Sequence, residues 1–146
     1  MNNDCLKLKN QLCFPIYVSS REIIKAYKPY LEKLDLTYTQ YIVMLVLWEQ
    51  KEVTVKKLGE CLCLDSGTLT PLLKKLEKKG FVTRNRSFED ERSLLVSITK
   101  EGKKLKEKAV KVPRAMCNCV DLTQEDVEQL RFLLAKLQSN LAMIGK

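Results

Sequence analysis

Asp65-Ser66-Gly67-Thr68-Leu69-Thr70-Pro71-Leu72-Leu73-Lys74-Lys75-Leu76-Glu77-Lys78-Lys79-Gly80 is the stretch that decides the fold. Asp65-Ser66-Gly67 reads as a turn. Beyond it Leu69, Leu72, Leu73 and Leu76 fall at i, i+3, i+4 and i+7, a single apolar stripe on a helix. Lys74, Lys75, Lys78 and Lys79 take the outer faces, and Gly80 stops the helix. Pro71 is a cost, tolerated if regular helix starts at about Thr68. On the N-terminal side Thr54 can cap a compact helix with Val55, Leu58 and Leu62 on its inner face. Two short helices around a tight glycine-containing turn, the second basic, form a helix-turn-helix.

Downstream, Phe81 to Arg86 alternates, as does Ser93 to Ile98, where Leu94, Val96 and Ile98 share a face. Ser87-Phe88-Glu89-Asp90-Glu91 between them is polar enough for a hairpin tip. A helix-turn-helix followed at once by a hairpin is a winged helix. Upstream, Leu36-Thr37-Tyr38-Thr39-Gln40-Tyr41 is a start signal: Thr37 caps, Gln40 bonds back and Leu36 staples onto Tyr41. The run it opens, Tyr41 to Trp48, is apolar on every side and predicts a helix buried all round.

Both ends of the chain add helices. Leu12, Ile16, Ile23 and Tyr27 keep helical spacing, with Ser19 and Ser20 small enough for another helix to approach. Pro15 makes that helix kink or begin near Phe14, and Pro29 marks a break before a short helix around Tyr30 to Leu34. Thr99 can cap a lysine-rich helix carrying Leu105, Ala109, Val112 and Met116, which Pro113 bends or ends. Leu122-Thr123-Gln124-Glu125-Asp126-Val127 repeats the cap and staple, with Asp126 as the acid. Val127, Leu130, Leu134, Leu137, Leu141 and Ile144 then form a heptad seam. The seam reads as intramolecular packing or as an interface. The interface is favoured, because a lone winged helix needs nothing beyond Ile98. The expected architecture is mainly α with a small β-wing: one winged-helix domain over 1–146, with a DNA-binding lobe at about 37–98 and dimerisation helices at about 1–36 and 99–146.

Composition narrows the function. At 146 residues, 45% apolar and 30% charged, the chain has ordinary globular make-up. Its longest apolar run has eight residues, against the ~18 needed to cross a bilayer. No charged-then-apolar leader opens it, so a cytoplasmic protein without membrane association is expected. There is no histidine, which removes Ser/His and Cys/His catalysis and histidine zinc sites. With 5 glycines there is no GxGxxG or Walker loop. Lys and Arg number 26 against 18 acids, a net +8, and Ser66 to Arg86 holds six of them against one acid, Glu77. A solvated lysine face would explain the charge but not the adjoining turn, stripe and hairpin. The expected partner is double-stranded DNA. Ser66, Thr68 and Thr70 are short hydrogen-bonders suited to phosphates and base edges, and Lys74 and Lys75 follow on the same helix. Arg84, Arg86 and Arg92 sit on or beside the wing, where an arginine can enter the minor groove.

Six cysteines in such a chain read as thiols rather than a disulfide framework. Cys61 and Cys63 lie about 200° apart on a helix and cannot grip one metal, so they read as small core residues. Cys117-x-Cys119 lies near a helix end, where the geometry is open. Cys13 is the candidate for chemistry: near a helix start the dipole favours an anionic sulfur. A bland buried cysteine is the rival reading. No metal or cofactor is called for.

Gln11-Leu12-Cys13-Phe14-Pro15-Ile16-Tyr17 resembles the LCFxxY opening of the organic hydroperoxide resistance regulators in the MarR family. Leu64 to Lys74 resembles their recognition helix and Asp90-Glu91-Arg92-Ser93 their wing; Thr37 to Tyr41 and Tyr27-Lys28-Pro29 match as well. The similarity runs from about residue 6 to 112, and the remainder matches in pattern only. The chain is also similar to related staphylococcal virulence and biofilm regulators that sense oxidants through the same cysteine. The resemblance implies a peroxidatic Cys13 beside Phe14, with Tyr17, Tyr27 and the partner subunit's Tyr38 hydrogen-bonding near its sulfur. It implies that a C-terminal cysteine of the other subunit, Cys117 or Cys119, or else a small thiol, traps the sulfenic acid. Pro15 departs from the usual leucine, alanine or serine. It further implies DNA contacts from Asp65 and Asp90 alongside the basic residues, and a homodimeric repressor rather than an enzyme. That repressor would release a pseudo-palindromic operator when an organic hydroperoxide oxidises Cys13. The rivals are a thiol peroxidase or metal-thiolate protein, and a same-fold regulator released by a phenolic or drug-like ligand.

Overall fold

The structure is a computed structural model that describes residues 3–89 and 93–144. The chain divides into two units, Met1–Pro113 and Arg114–Lys146.

In the first unit α1 spans Cys13–Glu32 after two short 3-10 turns, Asn3–Leu6 and Leu8–Asn10. Pro15 is its third residue. The first amides of a helix have no intrahelical acceptor, so a proline there forfeits nothing and the helix starts at Cys13. Pro29 does not break the helix, contrary to expectation, and lies inside it. It removes one backbone bond, at about 3 kcal/mol. Continuing the helix delivers Leu31, and just beyond it Leu34 and Leu36, to the core; each is worth roughly 1.5–3 kcal/mol when buried. Burial outweighs the proline.

Thr37 then caps α2 (Tyr38–Gln50) through the expected capping box. The Gln40 amide donates to Thr37 Oγ1 at 3.3 Å, and the Thr37 amide to Gln40 Oε1 at 3.1 Å. Leu36 and Tyr41, the two ends of the predicted staple, are both buried. This helix is not buried all round. Val43, Met44 and Leu47 are sealed, whereas Leu45 is 43% exposed, with Ile42 and Val46 half-buried beside it. At about 100° per residue these three share one arc, which the unit leaves open.

β1 (Glu52–Thr54), unforeseen in the sequence, joins β2 (Val82–Arg86) and β3 (Leu94–Ile98) in an antiparallel sheet of order β1-β3-β2. Thr54 caps α3 (Val55–Leu62), accepting from the Lys57 amide at 3.2 Å. The chain reverses at Cys63, in the left-handed region at φ 52°, and not at Gly67. Asp65 caps α4 (Ser66–Lys78) by accepting from the Thr68 amide at 2.8 Å. Ser66 and Gly67 therefore belong to the helix, which begins two residues before Thr68. The local cause is Asp65, a strong N-cap acceptor. Leu69, Leu72, Leu73 and Leu76 are buried as the stripe predicts, and Gly80 ends the turn beyond α4 at φ +78°.

Cys61 and Cys63 are exposed, which corrects their reading as core residues. The two-turn helix α3 points Leu58 fully inward with Val55 and Leu62 beside it. Cys63 then leaves the helix in the left-handed conformation, so Leu64 rather than Cys63 packs on the core.

Thr99 caps α5 (Lys100–Ala109), accepting from the Gly102 amide at 3.0 Å. The expected helix through Met116 is interrupted at Val110, and α6 (Lys111–Val120) follows. Pro113 is the reason: it has no N–H to offer the Ala109 carbonyl, so α5 ends at Ala109. Leu105, Ala109, Val112 and Met116 are nonetheless all buried.

Trp48 Nε1 donates to the Gly102 carbonyl at 2.8 Å, pinning α5 to α2. A Cβ at Gly102 would overlap the Phe81 carbonyl oxygen and stand 2.8 Å from Ile98 Cγ1. Gly102→Ala is therefore expected to destabilise the first unit by about 2–4 kcal/mol, read as a lower urea midpoint at unchanged slope.

In the second unit α7 (Gln124–Ile144) has the predicted box: the Asp126 amide donates to Thr123 Oγ1 at 3.1 Å and the Thr123 amide to Asp126 Oδ2 at 3.0 Å. Hydrogen bonds from Thr123 hold the Asp126 carboxyl below its usual range. The heptad seam lies largely open, with Leu141 56% and Ile144 79% exposed.

Candidate nucleic-acid interface and thiol site

The leucine stripe of α4 fixes what its other side presents. Ser66, Thr70 and Lys74 follow at successive turns, with Thr68, Lys75 and Lys78 alongside, and all six are exposed. Thr70 Oγ1 donates back to the Ser66 carbonyl at 2.8 Å, leaving its oxygen to accept. Asp65, expected at the interface, serves as the helix cap, and hydrogen bonds from Thr68 hold its carboxyl below the usual range.

The basic charge is sorted into two groups that the sequence does not separate. Arg84 is committed to Glu77: Nη2 lies 2.8 Å and Nε 3.1 Å from Glu77 Oε2, while the Arg84 amide donates to Oε1 at 3.1 Å. This fork ties β2 to α4 and sets the angle of the wing. Lys79 pairs with Asp35 at 3.1 Å and reaches Gln40 Oε1 at 3.3 Å. Lys74, Lys75, Lys78 and Arg86 are exposed and form no ion pair among the described residues. Asp90 and Arg92 lie outside the described residues. The signal for the sorting was Glu77, the one acid in a basic stretch.

Arg84 holds the Glu77 carboxyl below the glutamate value of 4.5 through its hydrogen bonds. A carboxyl that is more acidic folded than unfolded contributes stability above the unfolded value and loses it as pH falls through the lowered one. Between pH 6 and pH 3 the wild-type Tm is therefore expected to fall more steeply than that of Glu77→Gln. Parallel curves in a thermal melt series would remove the pair from the acid response.

Cys13 is the first residue of α1 and is exposed, as are its neighbours Leu12 and Phe14. Tyr17, one turn on, is exposed too, and Arg21 stacks 5.3 Å above its ring. Tyr27 is fourteen residues from Cys13, about 21 Å along the same helix. It lies too far along the helix to reach its own subunit's Cys13. It packs instead edge-on to Tyr38 of its own chain at 5.1 Å and near Tyr41 at 5.9 Å. Burial, with Tyr27 and Tyr38 adjacent, pushes the Tyr41 phenol up. Tyr38 also lines a cavity of about 580 Å³ with Arg21, Ile24, Lys28, Leu31 and Leu36. In the second unit Cys117 and Cys119 are both exposed on α6, about 200° apart around it, so they face different ways.

Among the described residues no helix is long and apolar enough to cross a membrane. A basic helix presented by a three-helix scaffold, a wing locked to it and an exposed cysteine at the head of a separate helix define a winged-helix transcriptional regulator. Comparison with known proteins agrees. The family model described as transcriptional regulator SarA/Rot matches residues 25–109. The organic hydroperoxide resistance transcriptional regulator of Bacillus subtilis is 54% identical over 138 residues, 94% of either chain. A structure of reduced AbfR bound to DNA superposes with a TM-score of 0.81 at 36% identity, covering 100% of both chains. A structure of disulfide-formed AbfR gives 0.65 at 37% identity, over 94% of this chain and 96% of that one. The chain belongs to the MarR family, in its organic hydroperoxide resistance regulator group.

Proposed function

We propose that this chain is a homodimeric, cytoplasmic repressor that holds a pseudo-palindromic operator when reduced and lets it go when an organic hydroperoxide oxidises Cys13. The observation that carries the DNA half is the outward line of Ser66, Thr70 and Lys74 on α4, set opposite the buried leucines and beside the wing. A relative solved reduced on DNA and also in a disulfide form supports the redox half.

Each protomer supplies one α4 to one major groove, and a two-fold dimer spaces the pair by about one turn of DNA. Ser66, Thr68 and Thr70 meet phosphates and base edges; Lys74, Lys75 and Arg86, with Arg92 of the wing, neutralise backbone charge. In the switch, the Cys13 sulfur takes the terminal oxygen of the hydroperoxide and the alcohol leaves, giving a sulfenic acid. A thiol then attacks that sulfur, water departs and a disulfide forms. Because Tyr27 packs edge-on against Tyr38, about 21 Å along α1 from its own Cys13, both would approach the sulfur from the partner subunit, with Tyr17 coming from the same helix. The disulfide moves the two DNA-binding lobes apart. Cys13 is consumed once per event, so the chain is a switch and not a turnover catalyst.

Salt titration tests the DNA half. Log affinity for an operator duplex is expected to fall linearly with log salt. Lys74→Ala and Lys75→Ala should each reduce the slope by about 1, since each removes one cation from the phosphate backbone, while Arg86→Ala weakens binding by about 1–3 kcal/mol. A salt-independent affinity would contradict the assignment.

A further inference from the structure

We infer that Phe88 is an apolar wedge that the wing places in the minor groove of the operator. The inference rests on the DNA-binding reading above. In the first unit the other large aromatic rings beyond α1, namely Tyr38, Tyr41, Trp48 and Phe81, pack on or within the core. Phe88 alone among these has a relative exposure of 106%.

Its position is held. The Ser87 amide donates to the Ser93 carbonyl at 2.8 Å, extending the β2–β3 register by one step past Arg86 and Leu94. Ser87 Oγ in turn accepts from the Glu89 amide at 3.2 Å, so the backbone bends around Phe88 and its ring is presented outward. The middle of β2 is tied to α4 by the Glu77–Arg84 fork, which fixes the wing against the recognition helix.

The reach fits. Phe88 follows Val82, where β2 begins, by six residues, about 20 Å of extended chain. A major-groove centre and the neighbouring minor groove are separated by half a helical turn, about 17 Å. With α4 in the former, the residue beyond the end of β2 arrives at the latter. Exposed Arg86, two residues back on the strand, supplies the charge that the narrow groove attracts. Acidic Glu89, the next residue, disfavours a phosphate contact at this point. The ring therefore meets sugar faces and a base step, which is how phenylalanine acts when it unstacks and kinks DNA. Phe88 thus adds sequence preference through deformability, favouring an easily unstacked pyrimidine–purine step beneath the wing.

The test uses the full-length reduced protein and a duplex selected from random sequence by the wild type. One copy carries 2-aminopurine at the step beneath the wing. Phe88→Ala is expected to weaken binding roughly tenfold with an unchanged salt slope, because every charge on the phosphates stays in place. The 2-aminopurine brightening seen with wild type should disappear in this variant, and Phe88→Leu should restore most of both signals. Affinity within twofold of wild type, with the brightening retained, overturns the wedge. So does a change in oligomeric state with DNA binding intact, which would place the ring against another protein. If the wild type itself selects no duplex, the DNA-binding reading fails rather than this one.

Discussion

Serine in place of Cys13 will leave the affinity of the reduced protein for its operator within about twofold of wild type and abolish release by organic hydroperoxide. The first half follows from where the residue stands. Cys13 begins α1, its side chain is exposed, and it takes no part in the leucine core that sets α4. The second half follows from chemistry, since a hydroxyl is not oxidised at this potential and forms no sulfenic acid. Wild-type binding should weaken at least roughly a hundredfold after one equivalent of cumene hydroperoxide, which corresponds to about 2.7 kcal/mol of operator binding. The variant should not respond in the same anisotropy titration. The pair on α6 refines this expectation. Cys117 and Cys119 face different ways, so one single serine variant should stop the reaction at a small-thiol-capped or overoxidised Cys13, and the other should behave as wild type. Equal behaviour of both would point to a small thiol or to exposed Cys5 as the partner.

Truncation after Asp121 is the second large effect. It removes α7, whose seam leaves Leu130, Leu134, Leu141 and Ile144 exposed, an arrangement that a second copy would cover. Joining two half-site readers in one dimer multiplies apparent affinity by about 10²–10⁴ through effective concentration. The truncated chain should sediment as a monomer at micromolar concentration and lose operator affinity by that factor. It should keep the circular dichroism of a folded winged helix, because the first unit holds its own core. A truncated chain that still sediments as a dimer would return the seam to packing within one protomer.

The sequence made the winged helix legible because its signals are local. A stripe at i, i+3, i+4 and i+7 and a Thr-x-x-Gln box depend on neighbours within two turns, and α4 and α2 follow them closely. Failures came where burial or a competing local signal overruled a rule, or where an element was too short to show a pattern. Pro29 should end a helix, but Leu31, Leu34 and Leu36 beyond it are buried, and the helix continues. Gly67 looked like the turn, yet the cap at Asp65 drew it into α4 and left Cys63 to reverse the chain. β1 has three residues and a single inward side chain, Val53, too little for an alternating pattern to register.

The interface was legible in composition but not in assignment. Six basic residues between Ser66 and Arg86 looked equivalent, and only the fold shows Arg84 and Lys79 holding Glu77 and Asp35. Pairings at a sequence distance of seven and forty-four residues depend on how β2 meets α4 and how the end of α1 meets α4. The same limit applied to the tyrosines. Resemblance named Tyr17, Tyr27 and the partner's Tyr38 together, and only the length of α1 shows that Tyr27 lies far from its own Cys13, edge-on to Tyr38 of its own chain.

The thiol switch is tested most directly by following one sample in two ways as cumene hydroperoxide is added to the operator-bound protein. Anisotropy reports the fraction of DNA released, and non-reducing peptide mass mapping of the same aliquots reports the state of each cysteine. Modification of Cys13 is expected to rise in step with release, with Cys117 or Cys119 or a small thiol joined to it. Release that precedes any change at Cys13, or a fully modified Cys13 on DNA still bound, would contradict it.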